Sequence, residues 1–461
     1  MNRVNQSTTP PESGSAGPRV RELWGSRIGF ILAAVGSAVG LGNMWRFPYR
    51  TAEHGGAAFL LFYVVITFLV GIPLIIAEFG MGRATRQSPI GALAAMGGKA
   101  WRPLGYFFVL TGFLILSYYA VIAGWVTRYA IEAILTPWPA DAAQYFSEVS
   151  SGVQPVLYHL GFMALTIFVV SGGVKGGIER LNLIGMPAIF LIVIGLVLWA
   201  MSLPGASEGY SFYLTPSMHE LLSLDTLAAA ASQAFFSLSL GMGAMLTFAS
   251  YLPKDSNLPR EGLVIAASDF TVAFLAGLVV FPVIFALGLQ QAVSESTVGA
   301  LFISLPGAFT AMGGTGRLVG ILFFVALFFG AITSAVSLLE VVTSSVIDRT
   351  GMSRRKAALL MGGIIAALGV LPALDINVLG AMDAIASEVF LPLGGLAIAI
   401  LSGWLLRGRY VEFFEGASPF VRSIINGWLW TVRIVVPPLL VVVLYTTIPA
   451  GIAAVRALFT G

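Results

Sequence analysis

Eleven long apolar segments recur along the chain. Segments of this length and composition are typical of helices that cross a bilayer. Only 10% of the residues are charged, whereas a soluble domain carries about 25%. The sequence therefore predicts an all-α polytopic membrane protein that contacts the lipid bilayer, with spans at about 28–52, 57–82, 103–135, 156–171, 180–202, 226–251, 262–289, 319–347, 357–373, 386–406 and 427–448.

Lysine and arginine are concentrated in alternate loops. The basic loops lie near 19–27, 83–102, 175–180, 254–260, 349–356 and 407–422. The loops at 137–155 and 204–224 contain neither residue, and 293–317 contains Arg317 alone. Since cytoplasmic loops carry the excess of positive charge, we expect a multi-pass protein of the inner (plasma) membrane with a cytoplasmic amino terminus.

Properties of the whole chain exclude several functions. The absence of cysteine excludes disulfides, thiol nucleophiles and cysteine-based metal sites. The net charge of +3 comes from the basic loops and does not indicate nucleic-acid binding. Residues 1–20, rich in Ser, Thr, Pro and Gly, are expected to form a disordered cytoplasmic tail. The stretch 293–317 is too interrupted to span and is expected to form a structured outer loop.

The first apolar segment is interrupted by three glycines within seven residues, at 36, 40 and 42. Each glycine costs a helix roughly 1 kcal/mol relative to alanine. Broken helices at the bilayer midplane build ion and substrate sites in secondary transporters, although small residues also permit close helix crossings. Asn43 and Arg46 add polar groups to the same segment, and the combination favours a binding site.

The sixth segment repeats part of this pattern. Ser237 begins a stretch that ends in Gly-Met-Gly at 241–243, five spans after the stretch from Ser37 to Asn43. An odd number of spans between equivalent segments inverts the second copy, which indicates an inverted repeat.

Several ionisable residues lie within or near apolar segments, where each is costly and is a candidate functional residue. Asp269 lies in strongly apolar surroundings, whereas Asp348 lies beside Arg349 and could equally form a structural ion pair. Thr333 and Ser334 place hydroxyls in the eighth segment, where such groups commonly bond to their own helix. Oxygen ligands without thiolates favour an alkali cation over a transition metal. The remaining candidates are Glu78, Glu340, Asp383 and Arg46.

Together these stretches resemble the neurotransmitter:sodium symporter family, to which LeuT belongs, over nearly the whole chain from about residue 21. The resemblance implies a LeuT-like fold with broken helices 1 and 6. Its two inverted five-helix repeats would lie at 21–203 and 204–406, followed by the eleventh span and carboxyl terminus at 407–461. The matching stretches are Arg21–Trp24, Gly36–Pro48, Glu53–Phe59, Gly71–Pro73, Glu78–Arg83, Tyr118–Tyr119, Phe235–Ala244, Ala249–Tyr251 and Thr333–Ser334.

The resemblance also implies two sodium sites. The first would use the substrate carboxylate together with Ala38, Asn43, Ser237 and Asp269. The second would use carbonyls and hydroxyls of Gly36, Val39, Gly330, Thr333 and Ser334.

The substrate implied by the family is a small amino acid bound between spans one, three, six and eight. Its carboxylate would meet the Leu41 and Gly42 amides and the Tyr119 hydroxyl, near Ser237. Its ammonium would face carbonyls of Ala38 and Phe236, and Ser239. The side chain would lie among Ser37, Ile115, Phe236, Met242, Ser334 and Leu338. Since this pocket contains no unpaired charge and Met242 is adaptable, we expect a neutral, hydrophobic L-amino acid.

Two gates follow from the same resemblance. Arg46 and Asp383, beneath Phe236 and Tyr119, would close the outer side. Arg21 and Asp348, near Trp24, Ser250 and Tyr251, would close the inner side. Gly177 and Pro187 resemble a Gly-x9-Pro motif of the family that would let span five unwind for release, although an ordinary proline kink is the alternative.

The chain departs from the family pattern at the first sodium site. Ser237 replaces the usual Thr, and Asp269 replaces the usual Asn. Ala273 offers no hydroxyl where chloride-dependent relatives have Ser. A carboxylate on the sodium would supply the compensating negative charge, so we expect no chloride requirement.

The sequence thus predicts a sodium-coupled importer that works by alternating access and is not an enzyme. A non-transporting amino-acid receptor would keep the same pocket. An intramembrane hydrolase is disfavoured because His54, His159 and His219 fall near span ends or in loops.

Overall fold

The computed structural model describes residues 21–217, 219–288, 300–406 and 408–460, and the regular elements found there are all helices. The expected tail at 1–20 lies outside these residues. Nine helices within the described ranges are long and apolar enough to cross a membrane. They are Ala57–Thr85, Lys99–Leu135, Gln154–Ser171, Val174–Ala200, Leu258–Ala286, Gly313–Thr350, Arg354–Leu374, Ile376–Leu405 and Ile425–Phe459.

The first and sixth predicted spans are each a pair of shorter helices. Arg27–Ala38 and Gly42–Glu53 form a pair bent by 44°. Leu224–Ser237 and Ala244–Ala249 flank a non-helical stretch at 238–243. With the nine long helices, these pairs occupy the positions of the eleven predicted spans.

The backbone geometry explains where the sixth span breaks. Gly241 and Gly243 have φ of 78° and 75°, values in the left-handed region that favours glycine. The buried carboxylate of Glu78 accepts the Gly241 N–H at 2.9 Å and the Leu246 N–H at 3.3 Å. Glu78 therefore satisfies donors that the interrupted helix has left free.

Some predicted boundaries were wrong. The tenth helix begins at Ile376 and not near 386, because the Asp375 side chain accepts the Asn377 N–H at 2.8 Å and caps it. The eighth begins at Gly313, so Arg317 lies in that helix and not in an outer loop. In the described part of the expected loop, Ala300–Ser304 and Leu305–Ala311 are helical. Hydropathy alone misplaces the start of the tenth helix because a capping hydrogen bond, and not apolarity, sets it there.

Further short helices, which were not predicted, lie between the spans. They include Pro89–Gly97, Ala142–Ser150, Ala206–Leu214 and Pro419–Ser423. The third and eighth spans are the most enclosed, with 72% of each apolar window buried, against 28% for the eleventh. The two broken spans pack at this centre, which places their interruptions inside the protein and not against lipid.

Candidate functional site

A cavity of about 330 Å³ lies where the interruptions of the first and sixth spans face the third and eighth spans. Ten of the twelve residues expected to bind substrate line it. The other two are set back from it: the Leu41 N–H points to the Tyr119 hydroxyl at 3.4 Å, and Ser237 faces Asp269. The lining consists of Ser37, Ala38, Gly40, Gly42, Ile115, Tyr119, Phe236, Ser239, Met242, Ser334 and Leu338.

The lining is apolar on one side and hydroxyl-rich on the other, and it includes no charged side chain. The hydroxyls are held by one another. Ser37 Oγ donates to Ser337 Oγ at 2.8 Å, and Ser239 Oγ donates to the Ser37 carbonyl at 2.8 Å. Ser337 was not among the residues predicted from sequence. The cavity can therefore enclose a small ligand that has one polar end and one apolar end and carries no net side-chain charge.

The Asp269 carboxylate lies at the centre of the first expected sodium site and is completely buried. It accepts hydrogen bonds from Asn43 Nδ2 at 2.7 Å, Ser237 Oγ at 2.7 Å and the Tyr63 hydroxyl at 2.9 Å. No lysine or arginine of the described residues forms an ion pair with it. Buried charges are normally paired or bound to a metal ion, so this set of oxygens fits a small cation.

Two residues of this region were missed by sequence reasoning. Tyr63 bonds to both Asp269 and, at 3.2 Å, Ser237. Gln233 donates from Nε2 to the Gly42 carbonyl at 2.8 Å and thereby joins the sixth span to the break of the first. Neither stands out in the sequence, because a lone Tyr or Gln in an apolar segment has no distinctive spacing.

The residues of the second expected sodium site lie between the first and eighth spans. Ser334 Oγ donates to the Gly36 carbonyl at 3.2 Å. Gly330 packs closely on Gly40, since a Cβ added to Gly330 would lie 3.3 Å from the Gly40 Cα. Thr333 Oγ1 donates to the Phe329 carbonyl at 2.9 Å, so the bonding of a hydroxyl to its own helix is observed here. That bond leaves the oxygen lone pairs available, and the neutral oxygens fit a monovalent cation.

On the outer side, Arg46 lies between two carboxylates. Its Nη2 is 4.0 Å from Asp383 Oδ2 and 3.7 Å from Glu388 Oε1, and its guanidinium lies 4.7 Å above the Phe236 ring. Asp383 also accepts the Tyr118 hydroxyl at 2.9 Å. Glu388, which the sequence did not single out, also pairs with Arg50. The contact between Arg46 and Asp383 is therefore long, and Glu388 shares it.

On the opposite side, Arg21 makes a tight contact with Asp348. Arg21 Nη1 lies 2.8 Å from Asp348 Oδ2, and Arg21 Nη2 donates to Ser250 Oγ at 2.6 Å. The same guanidinium lies 4.6 Å from the Tyr251 ring centroid. Trp24 Nε1 donates to the Phe248 carbonyl at 2.9 Å. These contacts join the start of the first span to the sixth and eighth spans.

A second ionic layer lies behind the Arg21 contact. Glu340 is completely buried and accepts Arg354 Nη1 at 2.6 Å and the Tyr251 hydroxyl. Arg354 Nε also donates to Glu22 at 2.8 Å. The cavity is therefore bounded by a network of charged residues on one side and by the looser Arg46 contacts on the other.

Comparisons with known proteins agree with this architecture. Residues 21–154 and 154–448 match the model of the sodium:neurotransmitter symporter family. A sodium-dependent transporter of Methanocaldococcus jannaschii is 36% identical over 92% of this chain and 90% of its own. One of Bacillus subtilis is 35% identical over 91% and 96%, respectively. A crystal structure of MhsT in complex with L-phenylalanine is 40% identical, with a TM-score of 0.85, covering 93% of this chain and 100% of that one.

Proposed function

The chain belongs to the sodium:neurotransmitter symporter family, and we propose that it imports a neutral, hydrophobic L-amino acid together with two sodium ions by alternating access. The observation that carries this proposal is the position of the buried, unpaired Asp269 carboxylate beside Ser237, next to an uncharged cavity. A cation and a zwitterion can then share one enclosed space.

The substrate carboxylate would lie at the polar end of the cavity. There it would meet the Leu41 and Gly42 amides, the Tyr119 hydroxyl and the first sodium. Amides at a helix interruption favour an anion, because their N–H groups and the helix dipole point at it. The ammonium would face the carbonyls of Ala38 and Phe236, and the Ser239 hydroxyl.

The side chain of the substrate would lie against the apolar wall. Ile115, Phe236, Met242 and Leu338 form this wall, and no charged residue among those lining the cavity could neutralise a charged side chain. Burying an unpaired charge is unfavourable, so glutamate and lysine would be excluded. MhsT, whose structure resembles this one, was crystallised with a substance of the expected class, L-phenylalanine.

Sodium would couple binding to movement. The first ion would join Asn43, Ser237, Asp269 and the Ala38 carbonyl to the substrate. The second would hold the first span against the eighth through Gly36, Val39, Gly330, Thr333 and Ser334. Both ions would then stabilise the arrangement in which the Arg21–Asp348 contact is formed, and their loss to the cytoplasm would release it.

The orientation follows from the basic loops. The tight Arg21 network would lie at the cytoplasmic side of an inner (plasma) membrane, and the Arg46 contacts would face outward. Because the chain lacks cysteine, single cysteines introduced at Ser147 and Ser353 would report orientation directly. An impermeant maleimide applied to intact cells should label the first and not the second.

Uptake into proteoliposomes tests the function. A sodium gradient should drive accumulation of labelled leucine, and substituting potassium for sodium should abolish it. A receptor on the same fold would bind leucine in a sodium-dependent way without accumulation. Leucine binding without uptake, in sealed vesicles with a sodium gradient, would therefore show that the protein is a receptor and not a transporter.

A further inference from the structure

The fifth span contains a buried polar atom that none of the sites above uses. Asn182 is completely buried, and its Oδ1 has no hydrogen-bond partner among the described residues. Buried polar side-chain atoms nearly always have a partner, so an exception requires an explanation. The position of this oxygen supplies one.

The orientation of the Asn182 amide is fixed by its nitrogen. Nδ2 donates to the Ile178 carbonyl at 2.9 Å, one turn earlier in the same helix. An amide oxygen cannot donate a hydrogen bond, so exchanging nitrogen and oxygen would place two acceptors, Oδ1 and the Ile178 carbonyl, against each other. Oδ1 is therefore the atom that points away from its own helix.

The oxygen points to the second sodium site. A Cβ added to Gly36 would lie 1.8 Å from Asn182 Oδ1 and 3.1 Å from the Thr333 Cβ. Gly36 and Thr333 are two of the residues expected to bind the second sodium. One turn further along the fifth span, a Cβ added to Gly185 would lie 3.4 Å from Thr333 Cγ2, so this helix packs directly on the site.

We propose that the Asn182 side-chain oxygen is a relay ligand, which takes over the second sodium ion as the ion leaves for the cytoplasm. An amide carbonyl is a hard, neutral oxygen of the same kind as the backbone carbonyls of the site. It can therefore replace one of them without a change in charge. The inference rests on the proposed function and adds a residue to its release path.

The surroundings of this oxygen fit a position on the path by which the sodium ion would leave for the cytoplasm. Asn182 lies between Gly177 and Pro187, the segment expected to unwind. Towards the cytoplasmic end, Glu179 is engaged with the first span, accepting the Gly25 N–H at 2.6 Å and the Ser26 hydroxyl at 2.9 Å. On this helix, Asn182 Oδ1 is the buried side-chain oxygen that has no hydrogen-bond partner among the described residues.

A relay ligand lowers a barrier and leaves the end states unchanged, which gives it a distinctive signature. In Asn182→Ala, equilibrium binding of ²²Na⁺ to purified protein should change less than about twofold, while net sodium-driven leucine uptake should slow about tenfold, the effect of one lost polar interaction. Sodium-dependent binding of leucine to the purified protein at equilibrium should keep its affinity, because binding requires no sodium release to the cytoplasm.

Two further variants complete the test. Asn182→Asp keeps an oxygen and adds a charge, so it should tighten equilibrium ²²Na⁺ binding several-fold and also slow net uptake. Leu183→Ala changes the adjacent, exposed side chain and should match the unmodified protein in all three assays. Thermal unfolding of each variant in sodium-free buffer checks folding.

The outcomes distinguish failure of the Asn182 relay from failure of the proposed transport function. In Asn182→Ala, a loss of leucine affinity as large as the loss of uptake, or no slowing of uptake, overturns the relay. An unmodified protein that shows no sodium-driven leucine uptake overturns the proposed function instead. A lower unfolding temperature with wild-type uptake would make Asn182 a packing residue only.

Discussion

Asn43 Nδ2 lies 2.7 Å from Asp269 Oδ1 and 3.0 Å from the Asp269 carbonyl, so the broken first span and the seventh span share a buried carboxylate. The two residues are 226 positions apart in the sequence. Because Asn43 follows the glycines that interrupt its helix, the bond joins the interrupted first span to the continuous helix Leu258–Ala286. A cation bound here would strengthen the same connection.

The chloride prediction follows from this carboxylate. Uptake by the unmodified protein should be equal in sodium gluconate and sodium chloride, since Asp269 supplies the negative charge. Asp269→Asn combined with Ala273→Ser should weaken sodium binding and make it respond to chloride. A large loss of uptake in gluconate for the unmodified protein would show that Asp269 does not have this role.

The second sodium site should depend on two hydroxyls. Thr333→Ala with Ser334→Ala should abolish sodium-driven uptake, because the site loses both of its side-chain ligands. Thr343→Ala with Ser345→Ala removes two buried hydroxyls of the same helix outside the site and serves as the matched control. Full activity in the first double variant would remove this site from the mechanism.

Uptake should also be electrogenic. Two sodium ions crossing 100 mV contribute about 4.6 kcal/mol, which corresponds to roughly a thousandfold accumulation at 1.4 kcal/mol per tenfold. A potassium-diffusion potential, negative inside, should therefore raise leucine uptake into proteoliposomes. Uptake that does not respond to the potential would contradict the transfer of net positive charge.

Substrate selectivity should reflect the uncharged cavity. Leucine, tyrosine and tryptophan should compete with labelled leucine better than glutamate, lysine or glycine. The apolar wall stabilises a hydrophobic side chain and offers no opposite charge to a charged side chain. Competition in proteoliposomes measures this directly. Stronger competition by glutamate, lysine or glycine would contradict the assigned pocket.

Glu78 should be required for stability of the sixth-span interruption. Glu78→Ala leaves the Gly241 and Leu246 N–H groups buried without their acceptor, at a cost of about 1–3 kcal/mol for each unsatisfied group. The unfolding temperature in detergent should fall, and less so in Glu78→Gln, which keeps one acceptor oxygen. Glu148→Ala, at an exposed position of the Ala142–Ser150 helix, is the control and should unfold like the unmodified protein.

The sequence by itself determined the all-α membrane fold, the broken first and sixth spans and the family. These follow from local information: apolar length sets the spans, glycines with polar neighbours mark the interruptions, and the motif around Gly36–Pro48 is long enough to be specific. It also directed attention to Asp269, since an acid in an apolar segment stands out without knowledge of its partners.

Only the tertiary structure decided which groups meet. Asp269 and Arg46 meet Tyr63 and Glu388, which come from distant spans, and Glu340 meets Arg354 at the start of the next helix. The start of the tenth helix was also misplaced, because a single capping bond from Asp375 outweighs hydropathy there. Asn182 shows the same limit most clearly: its oxygen, which has no partner among the described residues, faces Gly36 only because two helices cross closely at that glycine. Such contacts depend on packing between remote segments, which no local pattern encodes.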